Sequence, residues 1–461
     1  MCGLFLCEYI GSDCLVTNSA TFKNLLYLPS FLFRLRLKLL LNLFCLLRVY
    51  LTISNLYLKE ATYTYLCNRA IVFKYGKLFG DPEPIERLIK EFESLNPDIR
   101  VKDEVLPATT DEQHQFYVIN LEAGSRDFDV FSLDVIWIPE FVRAGWLRDL
   151  THVMPPELRK EFFQGPMEVA MQNGRVYAIP WYIDAGVLYY RKDLLSKYGF
   201  SPPRTWDELV YIASEIMRKE PGIYGFLWQG KQYEGLICNV LEYIWGNGGS
   251  VVENGKIVID SPNNKQALGF VRDLIHKYGV TPKFVTTMTE DSTTRIFAKG
   301  RAIFMRNWPY AWNILEREDS PVKGKVGFSV LPSFPGYSSF STLGGWFLGV
   351  NNYSRHPRES EKFVRFLSSY RAQKLLSLTV GYRPTLKRIY RESDIVKTQP
   401  FTAHLYKVFE HARPRPVTPF YMVISQVMQS EFSAVITGIR NPEDALKSAK
   451  KHIEFIMGIG Y

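Results

Sequence analysis

From residue 70 onward the chain switches between two hydrophobic periods. AIVF at 70–73 is a short apolar run of strand type. EPIERLIKEFESLNPDI follows, with Ile85, Leu88, Ile89 and Phe92 at i, i+3, i+4 and i+7. That spacing predicts an amphipathic helix, stopped at Asn96-Pro97. Arg100 to Leu106 alternates as a strand, a helical stretch runs from about Asp111 to Ala123, and Val130 to Leu133 reads as a buried strand. Strand, helix, strand, helix, strand predicts an α/β unit with a largely parallel sheet. RVYAIPWYIDAGVLYYRKDLLSKYGF holds two further strands and a helix. TWDELVYIASEIMRK is a helix with Thr205 as N-cap and Glu208 at the capping-box position. ICNVLEYIWGNGGS is an apolar helix ended by glycines, and NNKQALGFVRDLIHKYG is a helix stopped by Gly279. KGRAIFMRNWPYAW reads as a strand entering a Trp/Tyr-rich turn, and KVGFSVLPSFPG and LGGWFLGVNN read as strands. PRESEKFVRFLSSY and NPEDALKSAKKHIEFIM are helices. No repeat or low-complexity linker interrupts this alternation, which predicts two interleaved lobes rather than separate beads.

Composition adds a boundary. Five of the six cysteines (Cys2, Cys7, Cys14, Cys45, Cys67) precede residue 68, whereas 25 of the 26 prolines follow it. Cys238 alone remains in the body, so the body folds without an internal disulfide. Residues 1–67 are read as a separate segment. Their apolar stretch FLFRLRLKLLLNLFCLLRVYLTISNLYL is broken by Arg34, Arg36, Lys38 and Arg48, leaving uncharged runs shorter than the ~18 residues a span requires. A degenerate signal-anchor, a signal peptide behind a long leader, and upstream sequence translated from a mis-assigned start codon all fit. The last is favoured. Over the whole chain, 46% hydrophobic and 22% charged residues exclude a disordered or collagen-like chain. The net charge of +9 is spread along the chain and does not compel nucleic-acid binding.

Enzyme motifs are missing. The chain has no phosphate-binding Gly-x-x-x-x-Gly-Lys-Ser/Thr loop, no dinucleotide fingerprint, no nucleophile elbow, no His-Glu-x-x-His and no Cys-x-x-Cys. No cofactor or metal is expected. The histidines at 114, 152, 276, 356, 404, 411 and 452 are scattered through charged stretches and read as solvated surface, and Cys238 reads as buried and inert. Glycoside hydrolysis needs only two carboxylates, so a hydrolase using Asp134 and Asp184 stands as an alternative. A binding protein for a non-sugar solute is another.

The distinctive clusters mix rings with polar groups. Trp181 and Tyr182 precede Asp184, Trp308, Tyr310 and Trp312 share NWPYAW, and Trp346 follows Gly344-Gly345. Asp134 closes a strand, Asp81 lies in the loop after the first strand, and Arg413 and Arg415 thread through ARPRPVTP. A pyranose offers apolar C–H faces to indole or phenol rings. Its rim of hydroxyls suits planar carboxylates and guanidinium groups that engage two neighbours at once. Fifteen per cent aromatic residues leave rings to spare for such a site. Core packing and capping account equally well for any single cluster; the convergence of several favours a carbohydrate.

DVFSLDVIWI, YIDAGVLYYRKDLLSKYGFSPPRTWDELV, WQGKQYEGLICNVLEYIWGNGGS, NWPYAW, LPSFPG, TLGGW and PRPVTPFY occur in an order that resembles the extracellular solute-binding proteins of ABC sugar importers, and among them the archaeal trehalose/maltose-binding branch. The resemblance runs from about residue 70 to the C-terminus. It implies a two-lobed periplasmic-binding-protein-like fold, with lobe I at 68–183 plus 347–388 and lobe II at 184–346 plus 389–461. Crossings would fall near Ile183–Ala185, Trp346–Leu348 and Leu386–Arg391. It implies sugar contacts from Asp81, Asp134, Tyr182, Asp184, Trp308, Tyr310, Gly345, Trp346 and Arg415. It also implies capture of a trehalose- or maltose-like disaccharide by a monomer outside the cell or in the periplasm, and delivery to an ABC permease with an intracellular ATPase. Two positions depart from the family. Asp81 stands where the family has Glu, and DEQHQF, with His114 and Gln115, stands where it has Arg.

Overall fold

The computed structural model describes residues 70–76, 83–107, 109–254, 256–399, 405–406, 408–409 and 412–458, with positions 43, 46–52 and 54 ahead of them. The chain divides into two units, Met1–Asn68 and Arg69–Tyr461. In the first, the described positions are helical. Among the described residues, no helix is long and apolar enough to cross a membrane.

In the second unit the opening alternation builds one half of a sheet. Strand β1 (Ala70–Gly76) pairs in parallel with β2 (Arg100–Leu106) and with β3 (Val130–Asp134). Helices α1 (Glu83–Leu95) and α2 (Thr110–Glu122) connect them. Ile85, Leu88, Ile89 and Phe92 of α1 are all buried, as the period requires. The rest of this sheet comes from distant sequence. Strand β4 (Ile179–Ala185) leads through Gly186 to β5 (Val187–Arg191), then β6 (Tyr224–Leu227), β7 (Ala302–Asn307), β8 (Val326–Ser329), β9 (Leu343–Val350) and β10 (Arg383–Pro384) follow. The six-stranded sheet has the order β10-β4-β9-β3-β1-β2, and the four-stranded sheet β8-β5-β7-β6. Strand β9 runs antiparallel to both β3 and β4, so the sheet is parallel in its opening half and antiparallel in the other. The expected parallel character therefore stops at β3. Strand β9 enters the first sheet directly from the second, with no helix crossing over between β8 and β9.

Helices α3 (Trp206–Lys219), α4 (Glu234–Gly246), α5 (Pro262–His276) and α6 (Glu290–Ala298) belong to the stretch that builds the second sheet. Helices α7 (Pro357–Leu367), α8 (Tyr370–Thr379), α9 (Tyr421–Ile436) and α10 (Pro442–Met457) complete the fold. The Thr205 hydroxyl accepts the Glu208 N–H at 3.2 Å, as read, but the Glu208 carboxylate turns to the Arg204 N–H at 2.7 Å. Helix α4 is buried at every position, which explains its uninterrupted apolar sequence and makes its one interior carboxylate, Glu242, conspicuous. That carboxylate meets Arg306 of β7 in a two-pronged pair at 2.6 and 2.9 Å, with each side chain 2% exposed. It also accepts the Thr342 N–H at 3.1 Å. A Cβ on Gly186 would lie within 2.0 Å of the same carboxylate. The pair thus sits under both places where the chain passes between the sheets.

Candidate ligand-binding site

Strand register gathers the first group of side chains. Trp346 lies opposite Asp134 on β3 and Tyr182 on β4, and Gly344 lies opposite Asp184. Gly345 has φ of 132°, and a Cβ there would come within 2.6 Å of the Tyr182 carbonyl oxygen. Only glycine allows the strands this approach. Gly344 offers bare backbone to the Trp308 ring, whose Cζ3 would lie 3.1 Å from an added Cβ. Trp308 and Tyr310 come from the turn after β7, in the other sheet's connection.

These groups surround one cavity of about 140 Å³. Asp134, Tyr182, Asp184, Trp308, Tyr310, Gly345, Trp346 and Arg415 all line it. Asp81 lies outside the described residues. Neither His114 nor Gln115 lines the cavity; Thr109 and Thr110, at the start of the same helix, do. The solvated-surface reading fails for His114. Its side chain is 14% exposed, bonds Glu140 at 2.7 Å and packs against Trp137, so the apolar neighbours and the carboxylate withdraw it from water. Cys238 is 2% exposed at the cavity wall, and burial pushes its thiol pKa up.

The cavity also collects residues that sequence reasoning missed: Tyr233, Glu234, Glu290 and Tyr382. Glu234 opens α4 and anchors a buried ion triad. Arg415 Nη1 donates to Glu234 at 2.8 Å and Nη2 to Asp134 at 3.1 Å. Asp134 further accepts the Ile136 N–H at 3.2 Å, and Glu234 accepts the hydroxyls of Tyr421 at 2.6 Å and of Ser425. The third guanidinium donor, Nε, finds no acceptor among the described residues. Glu290 opens α6. It accepts the Trp308 indole N–H at 3.3 Å and the Tyr233 hydroxyl at 2.5 Å. The Arg306 guanidinium lies 4.1 Å from the Trp308 ring centre, fixing that ring by a cation–π contact. Trp346 is held edge-on by Trp137 at 5.5 Å, and Tyr182 stacks on Tyr382 at 4.0 Å.

The rings are therefore locked, as a stacking platform requires. The polar groups differ in commitment. Asp134 is tied to Arg415, which removes its freedom as an acid or base. Asp184 accepts no hydrogen bond from the described residues. Burial raises its pKa from 3.8 to about 7, against the pull of Arg383 and Arg306 and with Asp134 adding to the rise. Burial keeps the Tyr182, Tyr233 and Tyr310 hydroxyls neutral by pushing each well above the usual phenol range. The wall as a whole offers acceptors, neutral hydroxyls and aromatic faces.

A family-wide sequence profile for the bacterial extracellular solute-binding proteins matches residues 77–374. A protein of Deinococcus radiodurans described as a probable ABC transporter-binding protein is 38% identical over 366 residues, which span 77% of this chain and 86% of that protein. Among solved structures, maltose-bound MalE3 of T. maritima superposes with a TM-score of 0.81 at 43% identity, covering 84% of this chain and 99% of that one. A solute-binding protein from Thermotoga lettingae bound with α-D-tagatose superposes with a TM-score of 0.77 at 26% identity, covering 85% and 100%.

Proposed function

The chain belongs to the bacterial extracellular solute-binding protein family, and from that premise we propose that it captures a trehalose- or maltose-like disaccharide for an ABC transporter. The observation that carries this reading is the meeting of eight residues around one cavity: Asp134, Tyr182, Asp184, Gly345 and Trp346 from the first sheet, Trp308 and Tyr310 from the turn after β7 of the second, and Arg415. Rings at Trp308, Trp346 and Tyr182 stack on sugar faces, and Asp184 accepts hydroxyl protons. The unpaired Arg415 Nε–H donates to a sugar oxygen. Two lobes follow the two sheets, close to 68–183 with 347–388 and 184–346 with 389–461. They close on the ligand because it touches both only in the closed form. The closed monomer then docks on a membrane permease whose ATPase lies inside the cell. The maltose carried by the MalE3 structure supports the disaccharide assignment.

Titration calorimetry with maltose and trehalose tests it, and binding should also raise the melting temperature. Asp184→Ala and Trp346→Ala are each expected to weaken binding more than tenfold, or about 1.4 kcal/mol. Unchanged affinity in both variants would remove Asp184 and Trp346 from the pocket.

A pH dependence follows from Asp184. Sugar hydroxyls bond the ionised carboxylate, so binding lowers the raised pKa and releases a proton below about pH 7. Affinity should rise from about pH 5 to about pH 7 and then level off. The free protein should respond in the opposite sense. Stability from this group is fully present below the unfolded pKa of 3.8 and is lost as pH rises through about 7. Calorimetry in buffers of different ionisation enthalpy reads the released proton. A pH-independent affinity would exclude Asp184 as an acceptor.

A further inference from the structure

The charge of the cavity is opposite to that of the molecule. The chain carries +9 overall. Among the described lining residues, however, five carboxylates (Asp134, Asp184, Glu234, Glu290 and Asp291) face one guanidinium, Arg415. That guanidinium is shared by two of them. Glu290 accepts hydrogen bonds from neutral donors only, the Trp308 indole and the Tyr233 hydroxyl, and has no ion pair among the described residues. Asp184 accepts nothing from the described residues. The nearest further cations are themselves engaged. Arg306 is paired with Glu242, and Arg383 donates to the Pro309 carbonyl at 2.9 Å and to Gln399. Six of the remaining lining residues are aromatic, and ring faces attract cations.

Resting on the disaccharide reading above, we propose that this pocket selects saccharides by charge: it admits neutral and amino-substituted sugars and excludes those that carry a phosphate or carboxylate. A phosphate would enter a low-dielectric cavity beside Glu290, whose hydrogen-bond donors are neutral, and beside Asp184, part of which is ionised at about pH 7, and there like charges repel more strongly than in water. A sugar ammonium meets Asp184 or Glu290 as a charge-assisted partner and keeps the stacking of its ring. The basic exterior does not reverse this. Its field is screened within about 10 Å at ordinary ionic strength, whereas the half-buried carboxylates of Asp184 and Glu290 on the cavity wall act at contact.

The probes are maltose and trehalose, each with its 2-amino and 6-phosphate derivative, titrated into the full chain at about pH 7, where the phosphate is anionic and a large share of the amine is protonated. The phosphate is expected to bind at least tenfold more weakly than its neutral parent, and the amine at least as tightly. In Glu290→Gln, which keeps an oxygen acceptor but loses the charge, the phosphate penalty should shrink. A phosphate that binds as tightly as its parent, or an amine that binds tenfold more weakly, overturns the charge selection while the sugar reading stands. Loss of binding for both neutral parents overturns the sugar reading and this proposal with it.

Discussion

Glu242→Ala is expected to lower the unfolding free energy by about 3–5 kcal/mol, the range for stripping one partner from a buried ion pair. Glu242 and Arg306 are each 2% exposed and joined by two hydrogen bonds, so the alanine leaves a guanidinium without its counter-charge in the interior. It also orphans the Thr342 N–H. The remaining bond from Arg306, 3.2 Å to the Gln229 side-chain oxygen, is neutral and cannot replace the carboxylate. Urea unfolding followed by tryptophan fluorescence reads the loss as a fall in midpoint at constant slope. The double variant Glu242→Met with Arg306→Leu is expected to regain much of it, because removing both charges removes the penalty for stranding either. Its sugar affinity should stay low even so, since Arg306 also braces the Trp308 ring at 4.1 Å. A single variant as stable as the parent would mean that water reaches Arg306.

That pair was half visible in the sequence. A lone acid inside LICNVLEYIWG already asks for a buried partner, but nothing local identifies Arg306 as that partner. The same division runs through the whole chain. Helix α1 is plain to read because one face is buried and the other wet, so Ile85, Leu88, Ile89 and Phe92 stand out. Helix α9 was not read at all. It buries Tyr421, Met428, Phe432 and much of its remaining circumference, packing against α4, α5 and α10, so its apolar stripe has no polar counterpart to define it. The parallel opening of the first sheet follows from local alternation, whereas the antiparallel entry of β9 depends on a return from the other sheet, which has no local signature.

The cavity shows the same contrast. Rings clustered with an acid in YIDAG, with one another in NWPYAW and with paired glycines in LGGW point to a site only through their convergence, and the structure brings Tyr182, Asp184, Trp308, Tyr310 and Trp346 to one wall. Glu234 and Glu290 carry no such mark. Each is the first residue of a helix, a common place for an acid because of the favourable helix dipole. Only the tertiary arrangement turns these two helix starts toward Arg415 and Trp308.

Arg415→Met is expected to destabilise the protein by about 3–5 kcal/mol at about pH 8, and by clearly less at about pH 5. The side chain is 2% exposed and is the cation shared by Asp134 and Glu234, themselves 10% and 3% exposed. Methionine fills much of the volume but leaves two carboxylates facing each other in a dry site. Even with the arginine present, burial holds the Asp134 pKa above its ordinary value. Without it, the folded Asp134 pKa rises further, so this group's contribution is fully present only below its unfolded pKa and fades as pH climbs through the folded one. Protonation at low pH relieves the repulsion, and the gap between variant and parent should narrow there. Urea midpoints for both proteins at the two pH values read this directly. An equal loss at both would assign the arginine's role to packing alone. Sugar affinity should fall as well, because the variant lacks the Nε–H that the described residues leave unmatched. The triad also links β3 of the first sheet to the first residue of α4, so its loss loosens one wall of the cavity against the other. The affinity loss should therefore exceed that of a single missing hydrogen bond, about 1 kcal/mol.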